Sequence, residues 1–177
     1  IYVIETNKFN THIEKKIKDI NKNLEIELRE IKIVLNPFKL KLNLKTVGPT
    51  LKNKGKIIEI EYLKTQLSLI SFLDDSFSIE NLDVSTKSLQ INNLISFTRS
   101  IINTPQLFIL EKIVKDGYLI GNIKIEFDKE GKIKDNYKIK GFVRDVKFSL
   151  IKKYNFNKLN FIFDYKKNDI LLENILF

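Results

Sequence analysis

At 177 residues the chain fits one domain of ordinary size, and 43% hydrophobic content can build a sizeable core. A formal net charge of +9 favours anionic partners, although a composition rich in Lys, Asn and Ile also fits a codon bias that inflates Lys. The absence of Cys excludes disulfides, a thiol nucleophile and thiolate metal sites, and a single histidine, His12, excludes His-rich metal sites and a His–His acid–base pair.

In chain order, Ile1-Tyr2-Val3-Ile4 is an apolar tetrad, read either as the last turn of a membrane anchor or signal segment or as an edge strand. The start at Ile1 rather than at Met reads as a trimmed piece of something longer. No run of about 18 apolar residues occurs, so no transmembrane helix is predicted within these residues. Thr6 or Asn7 can cap a helix over 6–23, in which Phe9, Ile13, Ile17 and Ile20 form a narrow apolar stripe opposite Lys15, Lys16, Lys18 and Asp19. His12 flanks that stripe as an ordinary helix residue. Such a basic amphipathic helix can lie on an anionic membrane or pack across a sheet.

Strands and one short helix are predicted over 24–91. Leu24, Ile26 and Leu28 share one face, Ile31, Ile33 and Leu35 the next phase, with a bulge expected at Arg29-Glu30. Asn36-Pro37 breaks the run, and Phe38, Leu40, Leu42 and Leu44 resume alternation as the second strand of a hairpin. Turns follow at Val47-Gly48-Pro49 and Asn53-Lys54-Gly55. Ile58, Ile60 and Tyr62 then alternate with Glu59 and Glu61, and Leu67, Leu69, Ile70 and Leu73 switch to helical spacing, ended by Asp74-Asp75. Phe77, Ile79, Leu82 and Val84 mark the next strand, which Leu89 and Ile91 extend or end.

A helical insert is predicted over 92–116, capped by Asn92 or Asn93, with Thr104-Pro105 starting a second helix and Gly117 closing it. Being apolar on several faces, it is expected to cover one end of the sheet. The region 117–177 reads as an antiparallel meander of long strands. Ile123, Ile125 and Phe127 alternate with Lys124 and Glu126; Ile133, Tyr137 and Ile139 follow; then come Val146, Phe148 and Leu150, and Leu159, Phe161, Phe163 and Tyr165. Successive strand residues point to opposite faces, so this pattern makes a sheet apolar on one side and charged on the other. Asp128-Lys-Glu-Gly131 supplies the reversal between the first two strands. The whole is an α+β fold, mainly β: a long curved antiparallel sheet shaped as a groove, with an N-terminal amphipathic helix and a helical insert.

No chemistry-bearing constellation appears. Asp74-Asp75, Asp116, Asp128 and Glu130 lack partners at acid–base spacing, and Asp128–Lys132 is short of the oxygen ligands of a calcium loop. There is no Gly-rich phosphate loop, Ser-centred elbow or metal cluster; no cofactor and no catalytic residue are assigned. Glycines 117, 121, 131 and 141 are read at strand ends, bulges or a turn. Aromatics interleaved with Lys from Phe142 to Tyr165 could stack bases, but they are assigned to the inward phase, as core or groove wall, and no nucleic-acid partner is expected.

The order of elements resembles the N-terminal part of AsmA-like proteins, relatives of TamB and of the chorein-type bridge lipid-transfer proteins. The matching residues are Ser68-Leu69-Ile70, for an "SLL"-like helix after a strand, and Ile79-Glu80-Asn81-Leu82-Asp83-Val84, for an "I-x-x-L-x-V" strand, followed by the insert and Gly117-Tyr-Leu-Ile-Gly-Asn-Ile. The sequence departs from the family in lacking the anchor, for which only residues 1–5 stand as a remnant, and the long C-terminal remainder. The resemblance implies a single domain fragment over 1–177, working without catalysis in the periplasm of a Gram-negative bacterium and anchored to the inner membrane by a segment outside these residues. It further implies phospholipid transfer between the membranes, or outer-membrane assembly alongside other envelope proteins. The lipid-facing residues would be Ile123, Ile125, Phe127, Tyr137, Ile139, Val146, Phe148, Leu159, Phe161, Phe163 and Tyr165. A structural or interaction module with a closed core, and a nucleic-acid-binding domain, are the alternatives.

Overall fold

The computed structural model describes residues 22–73, 79–128, 132–150, 154–166 and 169–177, together with helical positions 10, 11, 13–15 and 18 near the N-terminus. The chain is mainly β, an open antiparallel sheet with few helices. Its elements are β1 (Leu24–Glu27), β2 (Ile31–Asn36), β3 (Lys41–Val47), β4 (Thr50–Asn53), β5 (Lys56–Ser68), α1 (Leu69–Leu73), β6 (Ile79–Thr86), β7 (Leu89–Gln90), α2 (Ile91–Ile101), α3 (Pro105–Ile113), β8 (Val114–Glu126), β9 (Lys138–Leu150), β10 (Tyr154–Lys166) and β11 (Asp169–Leu176). The main path runs β2–β3–β5–β6–β8–β9–β10–β11, and a β1–β4 branch joins the first half of β5.

Alternation in the sequence becomes two chemically distinct faces once register is added. Ile31, Thr46, Leu63, Val84, Ile123, Ile139, Tyr165 and Ile170 lie directly opposite one another across the eight strands of the main path. The adjacent residues form the other face in the same register: Lys32, Lys45, Lys64, Asp83, Lys124, Lys138, Lys166 and Asp169. One row is almost wholly apolar and its neighbour wholly charged. Facing lysines repel, and the polar face relieves this by interleaved partners. Asn122 Nδ2 donates to Asp83 Oδ1 at 2.8 Å, and the Lys64 ammonium lies 4.3 Å from the centroid of the Tyr62 ring. Beside that row an amide ladder runs from Asn81 through Gln66 to Asn43, with Nδ2–Oε1 and Nε2–Oδ1 bonds of 2.9 and 2.8 Å.

The core sits under the first half of the sheet. Ile31, Ile33, Leu42, Leu44 and Leu67 form one buried cluster, against which Ile13 of the N-terminal helical residues packs. Of the expected stripe Ile13 thus covers the sheet, with Lys15 and Lys18 exposed, while Phe9, Ile17 and Ile20 lie outside the described residues. Leu24, Ile58 and Phe97 form a second cluster, so α2 covers the β1–β4–β5 end.

Several boundaries differ from the sequence reading. Arg29-Glu30 is not a bulge: β1 and β2 are separate strands with different partners, β4 and β3. Phe38 and Leu40 are not in a strand but in the hairpin turn, Phe38 98% exposed and Leu40 at φ 48°. Tyr62 leaves the phase of Ile58 and Ile60 because a register shift falls between Ile60 and Tyr62. β5 continues through Ser68, so only Leu69–Leu73 is helical. The insert is helical over Ile91–Ile101 and Pro105–Ile113 rather than 92–116, and β8 begins at Val114, three residues before Gly117. Gln90 occupies the first cap without a side-chain bond, whereas Thr104 Oγ1 accepts the Leu107 N–H, with Pro105 next to it as expected. Of the two helices only α2 buries residues, Ile95 and Phe97; α3 buries none. The proposed reversal at residues 129–131, His12, and Asp74–Phe77 lie outside the described residues; the flanks of the reversal are joined by a Phe127–Ile133 bridge.

Candidate functional site

The candidate site is the apolar face of β8–β11, which α2 still covers near Gly117 and Val146 and which loses its cover toward β10 and β11. Residues of that face on β2, β3 and β5 are buried beneath the helices: Ile31, Ile33, Leu42, Leu44, Leu63 and Leu67. Farther along, Leu82, Val84, Ile123, Ile125 and Ile139 are half-buried, and the row ends at Ile170, 65% exposed. One continuous apolar surface thus passes from covered core to solvent-facing wall without changing chemistry.

Register gathers the sequence-derived candidates. Ile123, Ile139 and Tyr165 stand in one cross-strand row, and Ile125 faces Leu82. Phe161 faces Val143, Leu159 faces Val146, and Phe148 faces Phe156, stacked at 4.5 Å between ring centroids and 11° between planes. Tyr137 precedes β9, yet its hydroxyl is 3.2 Å from that of Tyr165, which raises the Tyr137 pKa above the ordinary phenol value. Phe127 lies beyond the end of β8, half-buried beside a mostly polar depression of about 770 Å³ that also takes in Lys41, Glu80, Glu126 and Lys134. Val146 alone among the candidates is fully buried.

Phe163 is seated by a glycine. It faces Gly141, which faces Gly121. A Cβ on Gly141 would sit 2.6 Å from the Phe163 ring and 2.7 Å from the Ile120 carbonyl oxygen. The missing side chain leaves the space that the ring occupies. These two glycines are therefore mid-strand floor residues, not strand ends.

Irregularities bend the open half. Gly117 in β8 has φ 133°, and Asp145, Lys158 and Asn174, in β9, β10 and β11, have φ of 54°, 65° and 53°. Register shifts accompany them in the β8–β9, β9–β10 and β10–β11 pairs. Bulges sharpen twist and bend a strand locally, so four neighbouring strands carry the means of curvature. The bulge at Asp145 also explains why Val143 and Val146, three apart, are both buried. Asp145 N–H donates to Asn160 Oδ1 at 2.9 Å across to β10.

The sequence reading includes 169–177 in the meander but names no strand there, and so leaves out Ile170 and Leu172. It also placed every aromatic from Phe142 to Tyr165 inward. Phe142 instead faces Ile120 and Ile162 on the charged side and is exposed, as is Tyr154. On that side Asp164 Oδ2 is 2.8 Å from Lys140 Nζ and 3.0 Å from Lys166 Nζ. The Lys140 and then the Lys166 ammonium hold this carboxyl below the usual range, and Asp164 in turn raises the Lys140 pKa.

Among the described residues no group of three or more His, Cys, Asp or Glu is placed to hold a metal ion, and no helix is long and apolar enough to cross a membrane. No protein-family model, curated protein or solved structure matches the chain.

Proposed function

We propose that the chain is a non-enzymatic lipid-transfer segment that shields acyl chains of a phospholipid on the open apolar face of β8–β11, at the periplasmic side of an inner membrane. The observation that carries this reading is the cross-strand row, apolar but for Thr46 and the Tyr165 hydroxyl, that runs from buried Ile31 to exposed Ile170 with a charged row directly behind it. Ile170 and Leu172 leave that face apolar and exposed at its outer edge, a surface that an acyl chain can cover. The AsmA-like order of elements points the same way.

The dimensions suit the ligand. Thirteen-residue strands such as β8, β9 and β10 extend roughly 40 Å at about 3.3 Å per residue. That exceeds the roughly 15 Å of one leaflet of a hydrocarbon core about 30 Å thick. Each methylene removed from water contributes about 0.8 kcal/mol, so even part of an acyl chain binds usefully. The headgroup stays in solvent, and walls of Ile, Leu, Val and Phe set little selectivity among tails. Movement along such a wall exchanges equivalent contacts and needs no reacting group.

A phosphatidylglycerol bearing a photoreactive group in its acyl chain tests this. Labelling should map to β9 and β10 peptides and be lost in Phe161→Asp/Phe163→Asp while a Lys124→Ser control on the opposite face labels normally. Equal labelling of the double variant, shown folded by circular dichroism, would sink the groove. Labelling confined to the polar face would do the same.

A further inference from the structure

The two free edges of the main path are complementary to each other. Among the described residues β11 pairs only with β10, and β2 only with β3. Exposed edge strands are ordinarily blunted by Lys or Pro. β8, β9 and β10 all carry Lys, but β11, Asp-Ile-Leu-Leu-Glu-Asn-Ile-Leu, has no cation and no Pro. It bears Asp169 and Glu173 in a chain of net charge +9, and Leu171 on the charged side is exposed. The β2 edge, Ile-Lys-Ile-Val-Leu-Asn, carries Lys32 and exposes Val34 and Leu35.

We infer that β2 of a second copy adds to β11 as the next antiparallel strand, extending the sheet head to tail. Direction permits it. The eight strands alternate strictly, so a further β2 arrives antiparallel to β11. One register satisfies both faces at once. Glu173 falls opposite Lys32 and Leu171 opposite Val34 on the charged side; Leu172 falls opposite Ile33 and Ile170 opposite Leu35 on the apolar side. Shifting by one residue would set Glu173 against Ile33 and exchange the faces, which period two forbids. The contact is heterologous, so it does not close on itself and leads to chains of copies. A single strand pair is a small interface, so pairing is weak and rises with concentration. It continues the apolar face but does not depend on what that face binds.

The absence of cysteine gives a clean assay. Glu173→Cys and Lys32→Cys variants of the full chain, mixed at high concentration under mild oxidation, should give a mixed disulfide dimer. Glu173→Cys mixed with Val34→Cys, two residues out of register, should give far less, and adding Leu171→Lys to the first variant should abolish the dimer. Mixed dimer no more abundant than in the out-of-register pair would overturn the inference. So would a dimer that survives Leu171→Lys in a variant of unchanged circular dichroism. Because the disulfide reports edge pairing alone, failure here leaves the lipid reading standing, and a lipid-free protein that cross-links leaves this one standing.

Discussion

Two glycines that face each other across β8 and β9 make different demands on the same sheet. A methyl at Gly141 collides with an aromatic ring and a backbone carbonyl, whereas at Gly121 the nearest atom, Leu119 Cδ2, is an ordinary 3.4 Å away. Gly141→Ala should therefore destabilise by about 1–3 kcal/mol, and Phe163→Ala beside it should recover only part of the loss, because the Ile120 carbonyl stays. Gly121→Ala should be neutral or mildly stabilising, since a strand glycine costs about 0.5–1 kcal/mol relative to Ala. Urea melts of the three variants check the ordering. Asp164 gives a second residue-level expectation. Its folded pKa is depressed by Lys140 and Lys166, so the stability it contributes is present above the unfolded Asp value of about 3.9 and is lost as pH falls through the folded value. Below about pH 4 Asp164→Asn should lose less stability with falling pH than the parent chain does. Parallel acid-unfolding curves would contradict the assignment.

Among elements, the bulges are the features that periodicity could not reveal. Alternation finds Val146, Phe148, Leu159 and Phe161, but a period of two carries no memory of a skipped residue, so it leaves Val143 unassigned and puts Phe142 on the wrong face. The positive φ at Lys158 is adopted by a side chain that disfavours it, so Lys158→Gly should raise the melting temperature slightly. Asn160→Ala removes the acceptor that fixes the Asp145 bulge and should cost about 1 kcal/mol. Amide exchange confined to β9 and β10 would show whether that loss is local. β11 was illegible for a related reason: Ile170-Leu171-Leu172 is apolar on both faces, as an edge strand open on both sides permits, and shows no alternation to read. The stripe containing Ile13 was legible as amphipathic, but its periodicity is the same for a membrane-lying helix and a sheet-covering one, and Ile13 packs on the sheet. The insert was legible as helical, but not that α3 would leave Phe108, Ile109 and Leu110 exposed while α2 alone packs down.

At the scale of the whole molecule, the sheet is asymmetric in what covers it. Helices close the face over β2–β5, α2 also packs against β8, and the same face toward β10 and β11 is left half-open at the edge. A closed-core module would bury both halves alike. The lipid reading needs this asymmetry, and it locates binding in the half built last in sequence. It also predicts that truncating the exposed wall, through Ile170→Ser with Leu172→Ser, weakens lipid retention while leaving the melting of the covered half unchanged. The most direct test is native mass spectrometry of the chain, expressed into a periplasm and purified without detergent. The account predicts a mass increment of one or more phospholipids that disappears in Phe161→Asp/Phe163→Asp. A clean unliganded mass for the parent protein would contradict it and leave the apolar face as an extension of the core.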